Sequence, residues 1–253
     1  MMVCVPYRRN SMDYRLYPEM KEFEQGLKDL NLELTDYQKQ QFVDYYEMLI
    51  EKNKVMNLTA ITEFSEVIKK HFLDSLALVK VIELKNQKLL DLGTGAGFPG
   101  IPLKIVFPDV EIVLLDSLNK RLVFLQEVIN KLQLHKINTL HGRAEDYGRS
   151  SEFRESFDLC VSRAVAKLSS LSELCVPYVK KDGFFISYKS GKVEEELISS
   201  ERAFHLLGAK LETVDSFLLP GSDIERSLIV IKKIEKTPKS YPRSAGKPSK
   251  DPL

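Results

Sequence analysis

The residues best suited to ligand chemistry lie in one short stretch, L-L-D-L-G-T-G-A-G-F-P-G, at positions 89–100. Read from Gly93 the stretch is G-x-G-x-G, and read from Gly95 it is G-x-G-x-x-G, the spacing of a dinucleotide fingerprint. In both registers the glycines allow a sharp turn after a strand and a close approach of a ligand to the backbone. The stretch therefore admits two cofactors, a nicotinamide dinucleotide or S-adenosylmethionine (SAM).

Two features favour SAM over the dinucleotide. Asp91 stands just ahead of the glycines, where a carboxylate can reach the positively charged amino-acid portion of SAM but would be poorly placed beside an anionic pyrophosphate. The α/β pattern also closes with two strands that have no helix between them, which is typical of a seven-stranded methyltransferase sheet. Asp116, which ends the second predicted strand, could bond ribose hydroxyls of either cofactor and does not discriminate.

The elements that must position this loop begin at Lys88, where short apolar runs alternate with amphipathic helical patterns. Such alternation predicts a parallel α/β sheet with a Rossmann-like fold. The predicted strands are 88–92, 111–116, 137–141, 157–162 and 183–189, followed by a closing antiparallel pair at 211–218 and 227–234 around a turn at Pro220-Gly221. The clearest intervening helices are 120–134 and 194–207.

The residues before the sheet read as a helical extension. Helical spacing predicts helices at 20–30 and 65–81, and T-D-Y-Q at Thr35 has the spacing of a capping box that opens another helix. The polar and β-branched stretch 53–62 is predicted to break the pattern. Residues 1–19 fit no element, and we hypothesise that Met20 is the functional start. The predicted division is an extra segment 1–19, a helical region 20–82, a SAM-dependent methyltransferase domain 83–236 and a tail 237–253.

Charge is balanced over the chain but uneven at its end. Lys and Arg number 37 against 36 Asp and Glu, so no global field indicates a nucleic-acid partner. Residues 232–253 nevertheless hold seven basic residues against two acids, together with four of the eleven prolines. Such a segment is expected to lie extended on the surface. It is either a solvated tail or a contact for RNA phosphates.

Other residue types limit the classes of protein. The three cysteines, Cys4, Cys160 and Cys175, have no metal or redox spacing, and the last two lie in apolar runs that predict core thiols. A sparse, odd number of cysteines is typical of a reducing cytosol, so a cytoplasmic location is expected. The four histidines show no paired ligand spacing, and no apolar run approaches the roughly 20 residues of a membrane span. We expect no metal and no membrane partner.

Several motifs in a fixed order resemble one family. They are N-K-V-M-N-L-T-A-I-T at 53–62, H-F-L-D-S-L at 71–76, D-L-G-T-G-A-G-F-P-G-I-P-L at 91–103, L-L-D-S-L-N-K-R at 114–121, G-R-A-E-D at 142–146 and S-R-A-V-A at 162–166. Together they resemble the glucose-inhibited division protein B family of bacterial ribosomal RNA methyltransferases, from about Met20 to the tail. The resemblance implies a class I SAM-dependent methyltransferase fold. It also implies methylation of a guanosine N7 in 16S rRNA, with the small ribosomal subunit as partner.

The resemblance also implies a set of site residues. By position, the cofactor contacts would be Gly93, Phe98, Asp116, Ala144, Glu145 and Arg163. The loop chemistry adds Asp91, Gly95 and Gly97, and Ser117 follows Asp116 as a further candidate. Arg163, Lys189 at the end of the fifth predicted strand and Arg226 before the last one are the candidate substrate contacts. For five of these a structural role stays open: packing for Phe98, a helix cap for Glu145, an ion pair for Arg163, and a cap or surface position for Lys189 and Arg226. His71, Asp74 and Asn57 lie in the region expected to cover the cleft and are interpreted mainly as structural residues.

The implied chemistry needs little from the protein beyond positioning. Methyl transfer from a sulfonium is an in-line displacement, and guanine N7 carries no proton at neutral pH. No catalytic base is therefore required, and no residue is assigned as one. Two alternatives stay open: an NAD(P)-dependent oxidoreductase that uses the register from Gly95 to Gly100, and a non-catalytic SAM-binding ribosome assembly factor. We expect a monomer.

Overall fold

The computed structural model describes residues 12–253, so Cys4 and most of the predicted extra segment lie outside the described residues. The helices are α1 (Met20–Asp29), α2 (Asp36–Met56), α3 (Phe64–Val67), α4 (Asp74–Leu76), α5 (Gly100–Val106), α6 (Asn119–Lys131), α7 (Ala144–Tyr147), α8 (Leu168–Cys175), α9 (Glu194–Leu206) and α10 (Lys247–Lys250). Short 3₁₀ turns occur at Tyr14–Leu16, Ala77–Lys80 and Val176–Tyr178. In this part of the chain no helix is both long and apolar enough to cross a membrane.

Seven strands form one sheet, as the alternating pattern predicts. They are β1 (Lys88–Leu92), β2 (Glu111–Asp116), β3 (Ile137–His141), β4 (Phe157–Ser162), β5 (Val179–Ser190), β6 (Ala209–Leu218) and β7 (Glu225–Lys233). Their order across the sheet is β3-β2-β1-β4-β5-β7-β6. Strands β1 to β5 are parallel, which brings their carboxyl ends, and the loops that follow them, to one edge.

The closing strand β7 inserts between β5 and β6 and is antiparallel to both. This confirms the antiparallel closing pair that the sequence predicts. Because β7 runs in the opposite direction, its first residues lie at the edge where the parallel strands end, and Ser190 pairs with Arg226. The reversal therefore carries a residue from late in the chain to the ligand-binding edge.

The helical extension packs on one face of the sheet. Thr35 caps α2 with the predicted capping box, in which its hydroxyl accepts from the Gln38 amide. The helix continues to Met56, beyond the predicted break at 53, and ends where Asn57 adopts a left-handed conformation with φ +50°. Phe23, Phe42 and Phe72 pack together with ring centroids 4.9–5.9 Å apart and join the helices to a continuous apolar core.

The segment predicted as one helix over 65–81 is not regular. It is helical at α3, widens to a π-helical turn over Ile68–Leu73 and tightens again through α4 and Ala77–Lys80. A π turn adds one residue to a helical turn and is frequent at functional sites. Here Tyr188 of β5 holds the segment to the sheet, because its hydroxyl donates to the Ser75 carbonyl at 2.9 Å.

A second apolar cluster fills the opposite face of the sheet, under α8 and α9. Cys160 and Cys175 both lie in this cluster and are fully buried, which confirms the prediction of core thiols. Burial raises the pKa of the Cys160 thiol well above its usual value, so that thiol is neutral at physiological pH. Core packing therefore accounts for these two cysteines.

The C-terminal tail lies on the surface, as expected, but it is anchored there. The Arg154 guanidinium donates to carbonyls of Thr237, Pro238 and Tyr241 at 2.7–3.1 Å. Arg243 makes a forked ion pair with Glu173, whose side chain is completely buried. The composition of the tail does not indicate these anchors, because in each contact the partner outside the tail, Arg154 or Glu173, is distant in sequence.

Candidate SAM- and substrate-binding site

The predicted site residues converge on the edge where the parallel strands end. The glycine loop follows β1, Asp116 ends β2 and Ser117 follows it, and Ala144 and Glu145 open α7 after β3. Arg163 follows β4, Lys189 lies near the end of β5 and Arg226 near the start of β7. The loop and β2 are in direct contact, since the Gly95 amide donates to an Asp116 carboxylate oxygen at 3.0 Å.

The glycine loop leaves space above its first half. Gly93 and Gly95 have φ values of +75° and +61°, which side chains rarely adopt. A Cβ built on Gly93 would meet only Ala164 at 3.6 Å, and one on Gly95 only the Gly93 carbonyl at 4.0 Å. The backbone at these two positions therefore faces open space that a ligand can occupy.

Gly97 has a different role from its neighbours. With φ +105°, a Cβ there would come within 2.7 Å of both Ile101 and the Tyr45 hydroxyl. That hydroxyl donates to the Ala96 carbonyl at 2.6 Å, and this hydrogen bond joins α2 to the glycine loop. Gly97 is required for packing of the loop against the helical extension.

Asp91 is the acid ahead of the glycines, and it is fully buried. Its Oδ2 accepts from the Gly100 amide at 2.8 Å and from the Thr94 hydroxyl at 2.7 Å. Among the described residues, none donates to its buried Oδ1. Burial raises the pKa of this carboxyl to about 6, against the hydrogen bonds from Thr94 and Gly100. A buried carboxylate with an open acceptor fits a ligand that supplies a cationic donor.

Gly100 starts α5, as interpreted from the sequence. A Cβ at this position would clash with Leu114 of β2 and would lie 2.8 Å from Asp91 Oδ2. The third glycine of the G-x-G-x-x-G register therefore has a packing reason, which is the close approach of α5 to the sheet. It gives no support to a pyrophosphate.

Asp116 fixes the loop from the neighbouring strand. Besides the Gly95 amide, it accepts from the Leu118 amide at 2.8 Å and from Arg121 at 3.3 Å. These three donors leave room for about one more on a carboxylate, which has four lone-pair sites. Ser117 beside it is exposed, and its carbonyl lies 3.2 Å from the His141 Nε2.

Ala144 and Glu145 open the short helix α7. The Tyr178 hydroxyl donates to the Ala144 carbonyl at 2.6 Å, which ties α7 to the 3₁₀ turn that follows α8. Glu145 is buried, and its Oε1 accepts from the Gly246 amide in the tail at 2.8 Å. The carboxylate of Glu145 is thus held by the tail, which the sequence does not foretell.

Arg163 is the most connected side chain at this edge. Its Nη1 donates to Asp74 Oδ2 at 2.8 Å and to the Lys70 carbonyl at 3.0 Å, and its Nη2 lies 3.1 Å from His71 Nδ1. The guanidinium also lies over the Phe98 ring, 5.0 Å from its centroid. Three fixed partners and an aromatic face hold Arg163 in one position between the glycine loop and the π turn.

His71 completes this position as a neutral ring. Its Nδ1 lies 3.1 Å from Arg163 Nη2 and 3.1 Å from the Lys70 carbonyl oxygen, and its Nε2 lies 2.9 Å from the Thr59 hydroxyl. Burial, and next the charge of Arg163, lower the pKa of this histidine to about 3. The imidazole stacks on Phe98 at 4.4 Å with an interplanar angle of 18°.

Asp74 joins the two predicted substrate arginines. Its second oxygen accepts from Arg226 Nε at 2.9 Å, and the residue is 3% exposed. The sequence indicates mainly structural roles for Asp74 and His71, and in the structure they hold the two arginines in place. We call Asp74, His71, Arg163 and Arg226 together the wall. The motif H-F-L-D-S-L could have indicated that these two residues act together, because they stand three positions apart, close to one turn of helix. Asn57 instead is exposed at the end of α2.

A cavity of about 650 Å³ opens against this wall. Its lining includes the cationic side chains Lys70, Arg163, Lys167, Lys189 and Arg226 and the acids Asp74 and Glu196. Lys189 is held there by the Ala166 carbonyl at 2.6 Å and by Glu196 at 2.7 Å. The excess of cations suits an anionic ligand such as a nucleic-acid backbone.

Comparison with known proteins identifies the family. Residues 38–229 match the family GidB, described as rRNA small subunit methyltransferase G. The chain belongs to this family. A protein of Lachnoclostridium phytofermentans named ribosomal RNA small subunit methyltransferase G is 60% identical over 91% of this chain and 96% of its own length. One of the same name from Bacillus licheniformis is 47% identical over 92% of this chain and 98% of its own length.

Solved structures confirm the fold of the GidB chain. NSun6 from Pyrococcus horikoshii, solved with SFG, superimposes with a TM-score of 0.54 at 13% identity and covers 70% of this chain and 57% of NSun6. TYW2 from M. jannaschii, solved with AdoMet, gives a TM-score of 0.53 at 15% identity over 69% of this chain and 80% of TYW2. The prediction of a class I methyltransferase sheet with an N-terminal helical extension is confirmed, and the oxidoreductase alternative is not favoured.

Proposed function

We propose that this chain transfers the methyl group of SAM to N7 of a guanosine in the 16S rRNA of the bacterial small ribosomal subunit. The observation that carries the proposal is membership of the GidB family, with relatives named as ribosomal RNA small subunit methyltransferases at 47–60% identity. The nucleotide and its N7 atom come from the resemblance in the sequence. The polar edge of the sheet supplies the physical support.

The residues of the edge fit SAM. The open acceptor of Asp91 suits the α-ammonium group of the methionine part, and Gly93 and Gly95 leave space for a ligand over the loop. The remaining acceptor capacity of Asp116 suits a ribose hydroxyl, and Ser117, Ala144 and Glu145 follow as candidates for the nucleoside end. Phe98 and Arg163 stand between this ligand space and the substrate cavity, with Gly97 in a packing role.

When bound, SAM supplies an electrophilic methyl group. The protein then has to hold guanine N7 in line with that methyl group, since N7 carries no proton that a base must remove. Well-oriented reactants gain roughly 7–11 kcal/mol of barrier lowering. His71 is neutral and already bonded to Arg163 and Thr59, so it serves the orientation of Arg163 and not proton transfer.

The substrate side is formed by Arg163, Lys189 and Arg226. Their guanidinium and ammonium groups line the cavity next to the glycine loop, where a base flipped out of an RNA loop would enter. Arg163 has the geometry to face both ligands, because it lies over Phe98 on one side and in the cavity wall on the other. We assign these three residues to contacts with the RNA.

The proposed partner and location follow from the substrate. We propose that the chain acts in the cytoplasm, on 16S rRNA or the small subunit, as a monomer. We also propose the division into a helical region at 20–82, a methyltransferase domain at 83–236 and a basic tail at 237–253. Tyr45 joins the first part to the glycine loop, and Gly246 joins the last to α7.

Methyl transfer tests this proposal directly. The chain is incubated with tritiated SAM and small subunits from a strain that lacks the corresponding enzyme. We expect label in 16S rRNA, located by mass spectrometry of nuclease digests at N7 of one guanosine. An Arg163→Ala variant that still binds subunits should give no label, which separates an enzyme from a SAM-binding assembly factor. Absence of label with the unaltered chain, or label on another base atom, would contradict the proposal.

A further inference from the structure

The C-terminal tail contacts the predicted nucleoside end of the cofactor site. Gly246 donates its amide to Glu145 Oε1 at 2.8 Å, and Glu145 directly follows Ala144 in α7. The methyl transfer mechanism gives this contact no role. Nothing in the composition of the tail, which reads as a surface segment, predicts it.

The loop that carries Ala144 and Glu145 is held by a small set of hydrogen bonds. The helix α7 has only four residues, and after it the Gly148 carbonyl accepts from Arg154 and Arg149 donates to the Pro242 carbonyl, each at 2.8 Å. The Tyr178 hydroxyl fixes the Ala144 carbonyl at 2.6 Å, and the Tyr147 hydroxyl donates back to the His141 carbonyl at 2.9 Å. The Gly246 amide is the partner that fixes the buried carboxylate of Glu145.

The tail can serve as a fixed support because it is anchored on both sides of Gly246. Before it, the Arg243 guanidinium grips both carboxylate oxygens of Glu173 at 2.7–3.1 Å, a charge-assisted pair whose acid is fully buried. After it, the Pro248 carbonyl accepts from the Ser170 hydroxyl at 2.7 Å. Both partners, Glu173 and Ser170, lie in α8, so the tail spans from α8 to α7.

The Arg243–Glu173 ion pair is an anchor that a single substitution can remove. Loss of one partner of a forked arginine–carboxylate pair that is shielded from water strongly destabilises the surrounding structure, because the other charge stays buried and unpaired. Loss of Arg243 would leave the buried Glu173 without its partner and weaken the hold on the stretch around Gly246, while Arg149, Arg154 and Ser170 still hold the carbonyls of Pro242, Tyr241 and Pro248. The stretch around Gly246 can therefore shift away from Glu145 without unfolding of the methyltransferase domain.

We propose that residues 241–250 are a positioning segment of the cofactor site, anchored by Arg243 and acting through the Gly246–Glu145 contact. The docked tail holds α7 in the conformation that receives the nucleoside end of SAM. The inference rests on the proposed function, since it assigns SAM to this edge. Undocking reduces the fraction of molecules able to bind SAM and raises the apparent dissociation constant in proportion.

The first test is the Arg243→Gln variant in the full chain, with Lys250→Gln as matched control. Lys250 lies on the same segment and is exposed. We expect Arg243→Gln to raise both the Kd for SAM, measured by calorimetry, and the KM for SAM about tenfold. At saturating SAM, kcat should stay within about twofold of the unaltered chain. Arg243→Lys, which keeps the charge but not the fork, should give an intermediate KM, and Lys250→Gln should change neither constant.

A purely structural role of Arg243 predicts the opposite split. A smaller folded fraction would lower kcat and leave the KM for SAM unchanged, and that result would overturn the inference. An unchanged KM and kcat would overturn it as well. Neither outcome touches the proposed function, which fails only if the unaltered chain does not bind SAM or does not label 16S rRNA.

A second measurement needs no variant. If the docked tail favours SAM binding, SAM must favour the docked tail by the same factor. Trypsin cleavage after Lys239 and Arg243, followed by mass spectrometry, should slow about tenfold with saturating SAM. Cleavage after Arg202, which is exposed on α9, should slow much less. Equal slowing at all three positions would report general stabilisation and would overturn the inference.

Discussion

The glycine loop and the wall centred on Asp74 lie at the same edge of the sheet, but the residues in contact are close in sequence in the loop and far apart in the wall. The loop is contiguous in sequence, and its parts touch within ten residues, as when Asp91 accepts from Gly100. The wall joins Asp74 to Arg163 and Arg226, which lie 89 and 152 positions further along the chain. The comparison teaches that the turn of the glycine loop is encoded locally, whereas the wall that we propose for the substrate exists only after the helical extension docks on the sheet.

The largest expected effect comes from breaking the wall at its centre. Asp74→Ala removes the shared partner of two arginines in a buried setting, and such a loss costs about 3 kcal/mol or more of unfolding free energy. We expect methyl transfer to fall at least 100-fold, because neither arginine keeps its position. Urea denaturation and labelling of 16S rRNA measure the two effects. The exposed Asp223→Ala is the control, and an active, stable Asp74→Ala protein would show that the wall has no such role.

The next effect separates two glycines of the loop. Gly97→Ala should lower the unfolding free energy by about 3 kcal/mol, since backbone strain adds to overpacking against Tyr45 and Ile101. Gly95→Ala should cost only about 1 kcal/mol of strain but weaken SAM binding about tenfold, because its methyl group enters the ligand space.

Gly221→Ala is the matched control for both glycines. It has φ +68° and no atom within 4 Å of its Cβ, so it reports strain alone. Thermal or urea denaturation and calorimetry with SAM provide the readouts. If Gly97→Ala resembled Gly221→Ala in stability, the proposed grip of the helical extension on the loop would be wrong.

A further prediction concerns the buried acid of the loop. Asp91→Asn keeps the shape of the side chain but removes the charge that we assign to the SAM ammonium group. A hydrogen bond to a charged group contributes about 2 kcal/mol, so SAM affinity should fall roughly 30-fold. The exposed Asp109→Asn serves as control in the same calorimetric titration. Equal affinity of the Asp91→Asn and unaltered chains would remove Asp91 from the cofactor site.

A last prediction tests the wall through pH. The pKa of His71 is about 3 in the folded chain against 6.5 as its ordinary value, because burial and Arg163 disfavour the charged form. Below pH 6.5 the unfolded chain therefore takes up a proton that the folded chain refuses, and folding stability declines. Between pH 7 and 5 the unaltered chain should lose about 2 kcal/mol relative to His71→Gln, at 1.36 kcal/mol per pH unit.

The comparison with His71→Gln is needed because other groups titrate in the same range with the opposite sign. Burial raises the pKa of Asp91 and of Asp44 to about 6. Protonation of these two carboxyls therefore increases the folding stability of the protein as the pH falls below that value. Their contributions cancel in the difference between the two proteins. Urea denaturation at several pH values gives the difference, and a constant value from pH 7 to 5 would mean that His71 is not held neutral.

Sequence predicted the sheet closely. The bounds of β1 to β4 agree with the predicted strands to the residue, since each strand is a short apolar run set between turns and helices. The regular helix over 65–81 was not found, because the π turn at Ile68–Leu73 follows from contacts with Arg163 and β5 and not from local spacing. Helix α2 likewise continued to Met56, past the predicted break, and the Asn53 side chain ties its last turn to the Thr59 backbone by two hydrogen bonds of 2.9 Å.

The sequence by itself determined the parallel sheet, the antiparallel closing strand, the glycine loop and the family, because each of these is written in neighbouring residues or in ordered motifs. Only the tertiary structure decided which residues serve the site from a distance. Asp74 and His71 orient Arg163, Tyr45 grips the loop, and Gly246 holds Glu145. Their effect depends on hydrogen bonds a few ångströms long between groups far apart in the chain, and local sequence carries no record of such distances.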